Sequence, residues 1–241
     1  MIVDYYKYSD NGERPVNEDS VGAYESKNLW AFALCDGLGG HGSGEIASRT
    51  AVEAMLSEIP LNCADEKILD KCFEKANEKV IEGQSVISSQ KDMKTTATLL
   101  MINGNKASWG HIGDSRIYYF KNKKYIKRTL DHSIPQMLVA TGEIKEKDIR
   151  HHEDRNKLLR CIPWENKKYD IDEVNLELEK GDCFLMMSDG FWDWVDERAM
   201  RKAIKKEKTA EGIVNNLKDV AFKKGRGNNM DNLSLIVVRI N

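Results

Sequence analysis

Short apolar runs recur along the chain, and most have the length of strands. "SVGAY" from Ser20, "LWAFALC" from Leu29, "TTATLLMI" from Thr95, "KASWGHI" from Lys106 and "SRIYYF" from Ser115 are rich in β-branched and aromatic residues. "EVNLEL" from Glu173, "CFLMMS" from Cys183 and "NLSLIVVRI" from Asn232 continue the pattern. The "NGN" at Asn103 to Asn105 and the "KNKK" at Lys121 to Lys124 stand between consecutive runs as turns, so antiparallel pairing is expected in place of a parallel sheet. Other stretches carry apolar residues at helical spacing. "GEIASRTAVEAMLSEI" from Gly44 and "DEKILDKCFEKANEKVIEG" from Asp65 follow a glycine-rich turn, and "ERAMRKAIKKE" from Glu197 and "AEGIVNNLKDVAFKKG" from Ala210 precede the last run. Helix pairs set between groups of strands predict an α+β domain in which helices cover the outer faces of packed sheets. The segment from Ile134 to Trp164 is the most irregular and polar, and reads as an excursion that could serve as a lid. No repeat, low-complexity tract or linker divides the chain, so residues 1–241 are expected to form a single domain.

Composition narrows the classes of function. The 41% apolar and 32% charged residues describe a soluble globular chain. With a net charge of -2 and basic residues interspersed with acidic ones, nucleic acid is not an expected partner. Cys35, Cys63, Cys72, Cys161 and Cys183 are scattered without C-x-x-C spacing, which excludes a zinc ribbon or disulfide framework and fits a reducing compartment. The N-terminal "MIVDYYKYSDNGERP" lacks a signal-peptide core, and no run approaches the ~18 apolar residues of a membrane span. A cytoplasmic protein without membrane contact is therefore expected.

Candidate chemistry centres on the turn that follows "LWAFALC". Gly37-Leu38-Gly39-Gly40-His41-Gly42 matches G-x-G-x-x-G, follows a strand and opens a helix, as a dinucleotide-binding turn does. Two features oppose that reading. A second helical pattern, not a parallel strand, comes next, and Asp36 stands where its charge would repel a pyrophosphate unless a cation intervened. No Lys-Ser/Thr follows the glycines, which excludes a Walker A loop. The alternative is a metal site. Asp36, Asp114 and Asp189 each end an apolar run, Asp231 stands at the mouth of the last run, and Asp19 precedes another. Strands packed side by side could gather these carboxylates, and an all-oxygen donor set suits Mg²⁺ or Mn²⁺ better than zinc. The plain alternative is that each Asp is a turn or capping residue.

Taken in order, "RPVNEDS", "CDGLGGHGSGEIAS", "KTTATLL", "GHIGDSRIYYF", "LDHS", "MSDGFWDWV" and "DNLSLIVV" resemble the metal-dependent Ser/Thr protein phosphatases of the PPM (PP2C) type in their compact bacterial form. The resemblance implies a four-layer αββα sandwich, two antiparallel β-sheets flanked by pairs of helices, with a flap over 134–164. It also implies a binuclear Mn²⁺ or Mg²⁺ centre. Asp36, Asp189 and Asp231 correspond to ligands of one metal, and Asp19, Asp36 and the Gly37 carbonyl to those of the second. Asp114 and Asp189 match a third, weaker site, and Glu18 corresponds to a residue that holds coordinated water. Arg14 stands where the family places its phosphate-binding arginine, whose planar fork suits phosphate oxygens. The implied reaction is hydrolysis of phosphoserine and phosphothreonine in proteins by a metal-bridging water, with no covalent intermediate. His41 is one candidate for the general acid and metal-bound water is the other.

Departures from the family pattern concern specificity. Lys94-Thr95-Thr96 replaces Gly-Thr-Thr, and Cys161-Ile162-Pro163 replaces Leu-Gly after the arginine, at the end of the flap. Trp192 and Trp194 read as core packing, and His111, His132, His151 and His152 as ordinary strand, turn and surface residues. Phosphoprotein substrates, a cognate Ser/Thr kinase and a monomeric state are the expected partners and form. A pseudophosphatase that binds phosphoproteins without turnover is the competing function, and the complete carboxylate set argues against it.

Overall fold

The computed structural model describes residues 1–38, 43–62, 65–86, 92–164, 166 and 169–241. Two antiparallel sheets form from the apolar runs. One has the order β1 (Val3–Asp10), β11 (Leu233–Ile240), β10 (Cys183–Met187), β7 (Arg116–Lys121) and β8 (Lys124–Arg128). The other has the order β2 (Asp19–Ser26), β3 (Leu29–Leu38), β5 (Ala97–Asn103), β6 (Lys106–Ile112) and β9 (Asp170–Glu177), with β4 (Lys94–Thr95) paired to the end of β3.

The period of two along each strand explains why the central runs are apolar throughout. On β3, Trp30, Phe32 and Leu34 face the other sheet, where they meet Phe184, Ile236 and Val238. Ala31, Ala33 and Cys35 on its opposite face pack under α1 (Ser43–Asn62) and α2 (Ile68–Val86), and their small side chains let the α1 alanines Ala47 and Ala51 approach closely. On β11, Leu233, Leu235 and Val237 likewise pack against α5 (Glu197–Lys206) and α6 (Ala210–Gly225). Both faces of each sheet are thus covered, which is the four-layer αββα arrangement expected.

The differences from the sequence reading lie at the sheet margins. β1 and β8 are edge strands that the apolar pattern does not show, because much of each remains exposed and Tyr and Lys alternate in both. The "KNKK" turn is narrower than read: Asn122 and Lys123 take positive φ of 48° and 62°, and Lys124 already begins β8. The Ile134 to Trp164 excursion is less irregular than its composition suggests. It opens with α3 (Ile134–Thr141), capped by Ser133 at one end and by left-handed Gly142 at the other. A 3-10 turn, Glu146–His151, follows. Isolated bridges Ser133↔Leu158 and Thr95↔Ile162 pin the excursion to the body. Among the described residues no helix is long and apolar enough to cross a membrane.

Candidate metal centre

Strand register gathers the aspartates at one edge of the sandwich. Asp19 and Asp36 are direct cross-strand partners at the ends of β2 and β3. Asp189 follows adjacent β10 and opens the short helix α4 (Asp189–Trp192), while Asp231 stands just before β11, the neighbour of β10. Asp114 lies between β6 and β7, where the chain passes from one sheet to the other. Arg14, Glu18, Asp36, Asp114, Asp189 and Asp231 line one cleft of about 770 Å³. Asp19 lies buried beside it and receives a 2.8 Å hydrogen bond from Ser188 Oγ, one residue before Asp189. His41 lies outside the described residues.

Gly37 also lines the cleft, and its lack of a side chain has a steric reason. A Cβ there would run into Gly44 O and come within 2.6 Å of Glu18 O. The Gly37 amide donates to that same Glu18 carbonyl at 3.0 Å, so the turn closes tightly around Glu18.

These carboxylates are in electrostatic conflict. Burial, together with the charges of Asp189 and Asp231, pushes Asp19 up to about 8 despite hydrogen bonds from Ser188 and Ser234. Burial and then the charges of Asp19, Asp189, Asp114 and Asp231 hold Asp36 well above the ordinary carboxylate range. Asp114 is raised by burial and then Asp189, Asp189 by burial and then Asp231, and Glu18 by burial and then Asp231. Asp19 Oδ1 is buried with no hydrogen-bond partner, a costly condition for a carboxylate oxygen. An all-oxygen set with mutual repulsion and an orphaned oxygen fits hard divalent cations. Among the described residues no three His, Cys, Asp or Glu side chains are already drawn around one point, so the acids form an open wall of the cleft. Arg14 spans Asp231, with Nε donating to Oδ1 at 3.2 Å and Nη2 to Oδ2 at 3.0 Å.

Several positioning residues escaped the sequence reading. Thr96 Oγ1 accepts from the Asp36 amide at 2.9 Å, and the Thr96 amide and Thr95 Oγ1 donate back to the Asp36 carbonyl at 2.8 and 2.9 Å. Asn232 Oδ1 accepts from the Glu18 amide, and its Nδ2 donates to Asn11 O and Val16 O, which ties the Arg14 loop to β11. Trp192 is core packing as expected, and its indole also donates to Asp114 O at 3.0 Å while the Arg116 guanidinium lies 3.5 Å over its ring. Arg116 is held in turn by a bidentate pair with buried Asp131. Paired Thr at a strand start and Asp-His-Ser after a strand were the available signals, but their partners are distant in sequence.

His111 and His132 depart furthest from their ordinary reading. They are buried and stacked, with ring centroids 4.5 Å apart. His111 Nδ1 meets Asp172 Oδ2 and Nε2 meets Leu130 O, both at 2.8 Å. Since both partners are acceptors, His111 carries two N–H groups and is an imidazolium. Burial opposes that charge, but the bond to Asp172 and its charge outweigh it, and the net shift is upward. His132 is lowered, by burial first and then by the His111 charge. Its Nδ1 accepts from the Gly113 amide at 3.1 Å, just before Asp114, where Gly113 takes a φ of +100°.

A fold of two antiparallel sheets under paired helices, with an acidic edge and one arginine, defines a class, and comparison with known proteins agrees. A family model described as protein phosphatase 2C matches residues 9–217, and the chain belongs to that family. It is 31% identical over 209 residues to the serine/threonine phosphatase stp of Listeria monocytogenes, covering 83% of this chain and 82% of that protein. It is 29% identical to the serine/threonine protein phosphatase PstP of Mycobacterium tuberculosis across 100% of this chain, but spans about half, 45%, of PstP. The structure of Stp1 from Staphylococcus aureus superposes with a TM-score of 0.88 at 25% identity, covering 100% of this chain and 96% of Stp1. The PstP catalytic domain, solved in complex with two manganese ions, gives 0.83 at 27% identity over 99% of each chain.

Proposed function

We propose that the chain is a metal-dependent phosphatase that hydrolyses phosphoserine and phosphothreonine in proteins, and that residues 1–241 act as one domain with 134–164 as its flap. The observation that carries this reading is the convergence of Asp19, Asp36, Asp114, Asp189 and Asp231 on a cleft that also presents Arg14, with Asp19 Oδ1 buried and unpartnered. Asp36, Asp189 and Asp231 would hold one Mn²⁺ or Mg²⁺, Asp19, Asp36 and the Gly37 carbonyl a second, and Asp114 with Asp189 a weaker third. Manganese bound by the similar PstP domain supports the choice of metal. When bound, such cations supply Lewis acidity to phosphoryl oxygens and acidify water.

The remaining work falls to the chain itself. Arg14 binds the phosphoryl group through its planar fork once that fork leaves Asp231, a half-exposed pair that costs little to break. Glu18, fixed through its amide to Asn232, orients water at the cleft wall. Thr96 and Asn232 fix the Asp36 and Glu18 backbones, so that only side chains need to move. Water is the proposed attacking group, with no covalent intermediate; Ser188, whose hydroxyl donates to Asp19, is not the proposed nucleophile. Phosphate release from a phosphothreonine peptide with Mn²⁺, with EDTA and with Asp189→Asn tests this, with a phosphotyrosine peptide as control. Release lost with EDTA and in the variant, and weak on phosphotyrosine, is expected. Turnover that persists without metal contradicts the reading.

A further inference from the structure

The face beside the flap carries cations that the proposed chemistry does not use. On α5, Arg198, Arg201, Lys202 and Lys205 recur at spacings of three and four, which is one stripe of a helix, and all are exposed. The opposite face, with Met200, Ala203 and Ile204, is buried in the core, so the stripe points outward. Among the described residues these cations have no hydrogen bond or ion pair, because the nearby acids are committed elsewhere. Glu197 pairs with Arg150 at 2.8 Å, Glu207 with Lys206 at 3.2 Å, and Asp196 caps the helix through the Ala199 amide at 2.7 Å. Like charges three and four apart repel, and a chain of net charge -2 does not need them for solubility.

The stripe, with Lys206, lines an open depression of about 500 Å³. A second depression of about 500 Å³ lies between Lys145, Glu146, Lys147 and Arg150 of the flap and Arg116, Tyr125, Arg128 and Glu197; its arginines are already paired with Asp131, Glu146 and Glu197, so its exposed cations are Lys145 and Lys147. Glu197 precedes Arg198, and the Arg150–Glu197 bridge fastens the flap to the start of α5. The flap also borders the acidic cleft through Asn156 and Leu158. The exposed flap lysines Lys145 and Lys147 and the α5 stripe, on either side of the Arg150–Glu197 bridge, together make a basic surface.

We propose that this surface docks an acidic segment of the protein substrate, separate from the stretch that carries the phosphate. The proposal rests on the reading of the cleft as a protein phosphatase and specifies its substrate class: phosphoproteins with an acidic segment away from the phosphorylated site. The surface is concave and its cations sit on flexible stems, which suits an extended acidic chain. A bilayer is disfavoured because the apolar face of α5 is buried and unavailable for insertion. A nucleic acid strand is disfavoured because the α5 depression has no aromatic side chain on which a base could stack. Arg198 and Lys205 lie about 10 Å apart along the helix, which three or four residues of extended chain can span.

The test uses the folded full chain. Fluorescence anisotropy with a labelled, unphosphorylated Asp/Glu-rich peptide, without added metal, measures docking apart from catalysis. Tight binding at low salt is expected, weakened at least about tenfold by ~0.5 M salt and by the triple change Arg198→Glu, Lys202→Glu, Lys205→Glu. The neutral set Arg198→Gln, Lys202→Gln, Lys205→Gln serves if charge reversal disturbs folding. In turnover assays, an acidic extension on a phosphothreonine peptide should lower KM about fivefold or more relative to a Gln extension. That difference should vanish in the variants, with kcat on the short peptide unchanged. Equal binding of acidic and Gln peptides, no loss in either variant, or preference for anionic vesicles or RNA over the peptide overturns the proposal. Failure of turnover alongside intact, variant-sensitive docking overturns the phosphatase reading and leaves the docking surface standing.

Discussion

At the scale of single residues, the metal-free cleft keeps more like charge together than water would tolerate. Asp36 is held high by burial and by four neighbouring aspartates. Replacing it with Asn removes one charge from that conflict while conserving shape. Without metal, the Asp36→Asn protein is expected to be more stable than the unaltered protein by about 1 kcal/mol, or ~2–4 °C in Tm, while with Mn²⁺ it should lose turnover by at least about a hundredfold. A lower Tm in calorimetry would count against the electrostatic account. His111 supplies a pH-dependent counterpart. Its folded pKa is raised, so its stabilising charge is fully present below the unfolded value of about 6.5 and is lost as pH rises through the raised folded value. His111→Gln should therefore cost about 1.5–3 kcal/mol at pH 6 and progressively less in alkali, as read by urea unfolding across pH. A penalty that grows with pH would refute the imidazolium. The aspartates could be suspected from their place at the ends of apolar runs, and Arg14 only from its match to the family pattern. The clamps Thr96 and Asn232 could not, because each works by bonding to backbone that is remote in sequence.

At the scale of elements, α4 aims Asp189 into the cleft, yet it is only four residues long and depends on its neighbours for rigidity. Trp192 pins it to Asp114 O and lies under Arg116, which the Asp131 carboxylate holds from the β8 side. Arg128 shares that carboxylate at 3.2 Å. Asp131→Ala would leave buried Arg116 with only the Tyr118 hydroxyl, while Arg128 keeps Glu146, Gln136 and Thr129 O, and a cost of about 3 kcal/mol is expected from denaturant unfolding. A loss under 1 kcal/mol would show that the network does not brace α4. The central strands and the four long helices were legible because their apolar spacing is strong. Edge strands β1 and β8 were not, because exposed edges need no apolar alternation, and α3 was hidden by the polar composition of the flap around it.

At the scale of the whole molecule, cations that relieve the acidic edge should stabilise the fold by mass action. Mn²⁺ at about 100 times its Kd should add ~2.7 kcal/mol, or roughly 5–10 °C in Tm, and EDTA should reverse it. Chelator-stripped protein that melts at the same temperature with or without added Mn²⁺ would argue that the edge binds no metal.

The sequence alone determined the layered class of the fold, because the period of two in the strands and the helical spacing between them admit few other ways to bury apolar faces. It also showed which chemistry the chain could offer, since aspartates recur beside apolar runs, but antiparallel neighbours end at opposite edges of a sheet, so their gathering was not fixed by that pattern. Tertiary structure decided which groups touch. Cross-strand register set Asp19 beside Asp36, the crossing between sheets brought Asp114 to the same cleft, and the flap's return joined its cations to the α5 stripe. The sequence had shown only interspersed charges. Their gathering into one basic surface depends on which acids are already paired, and that is a property of three-dimensional neighbours.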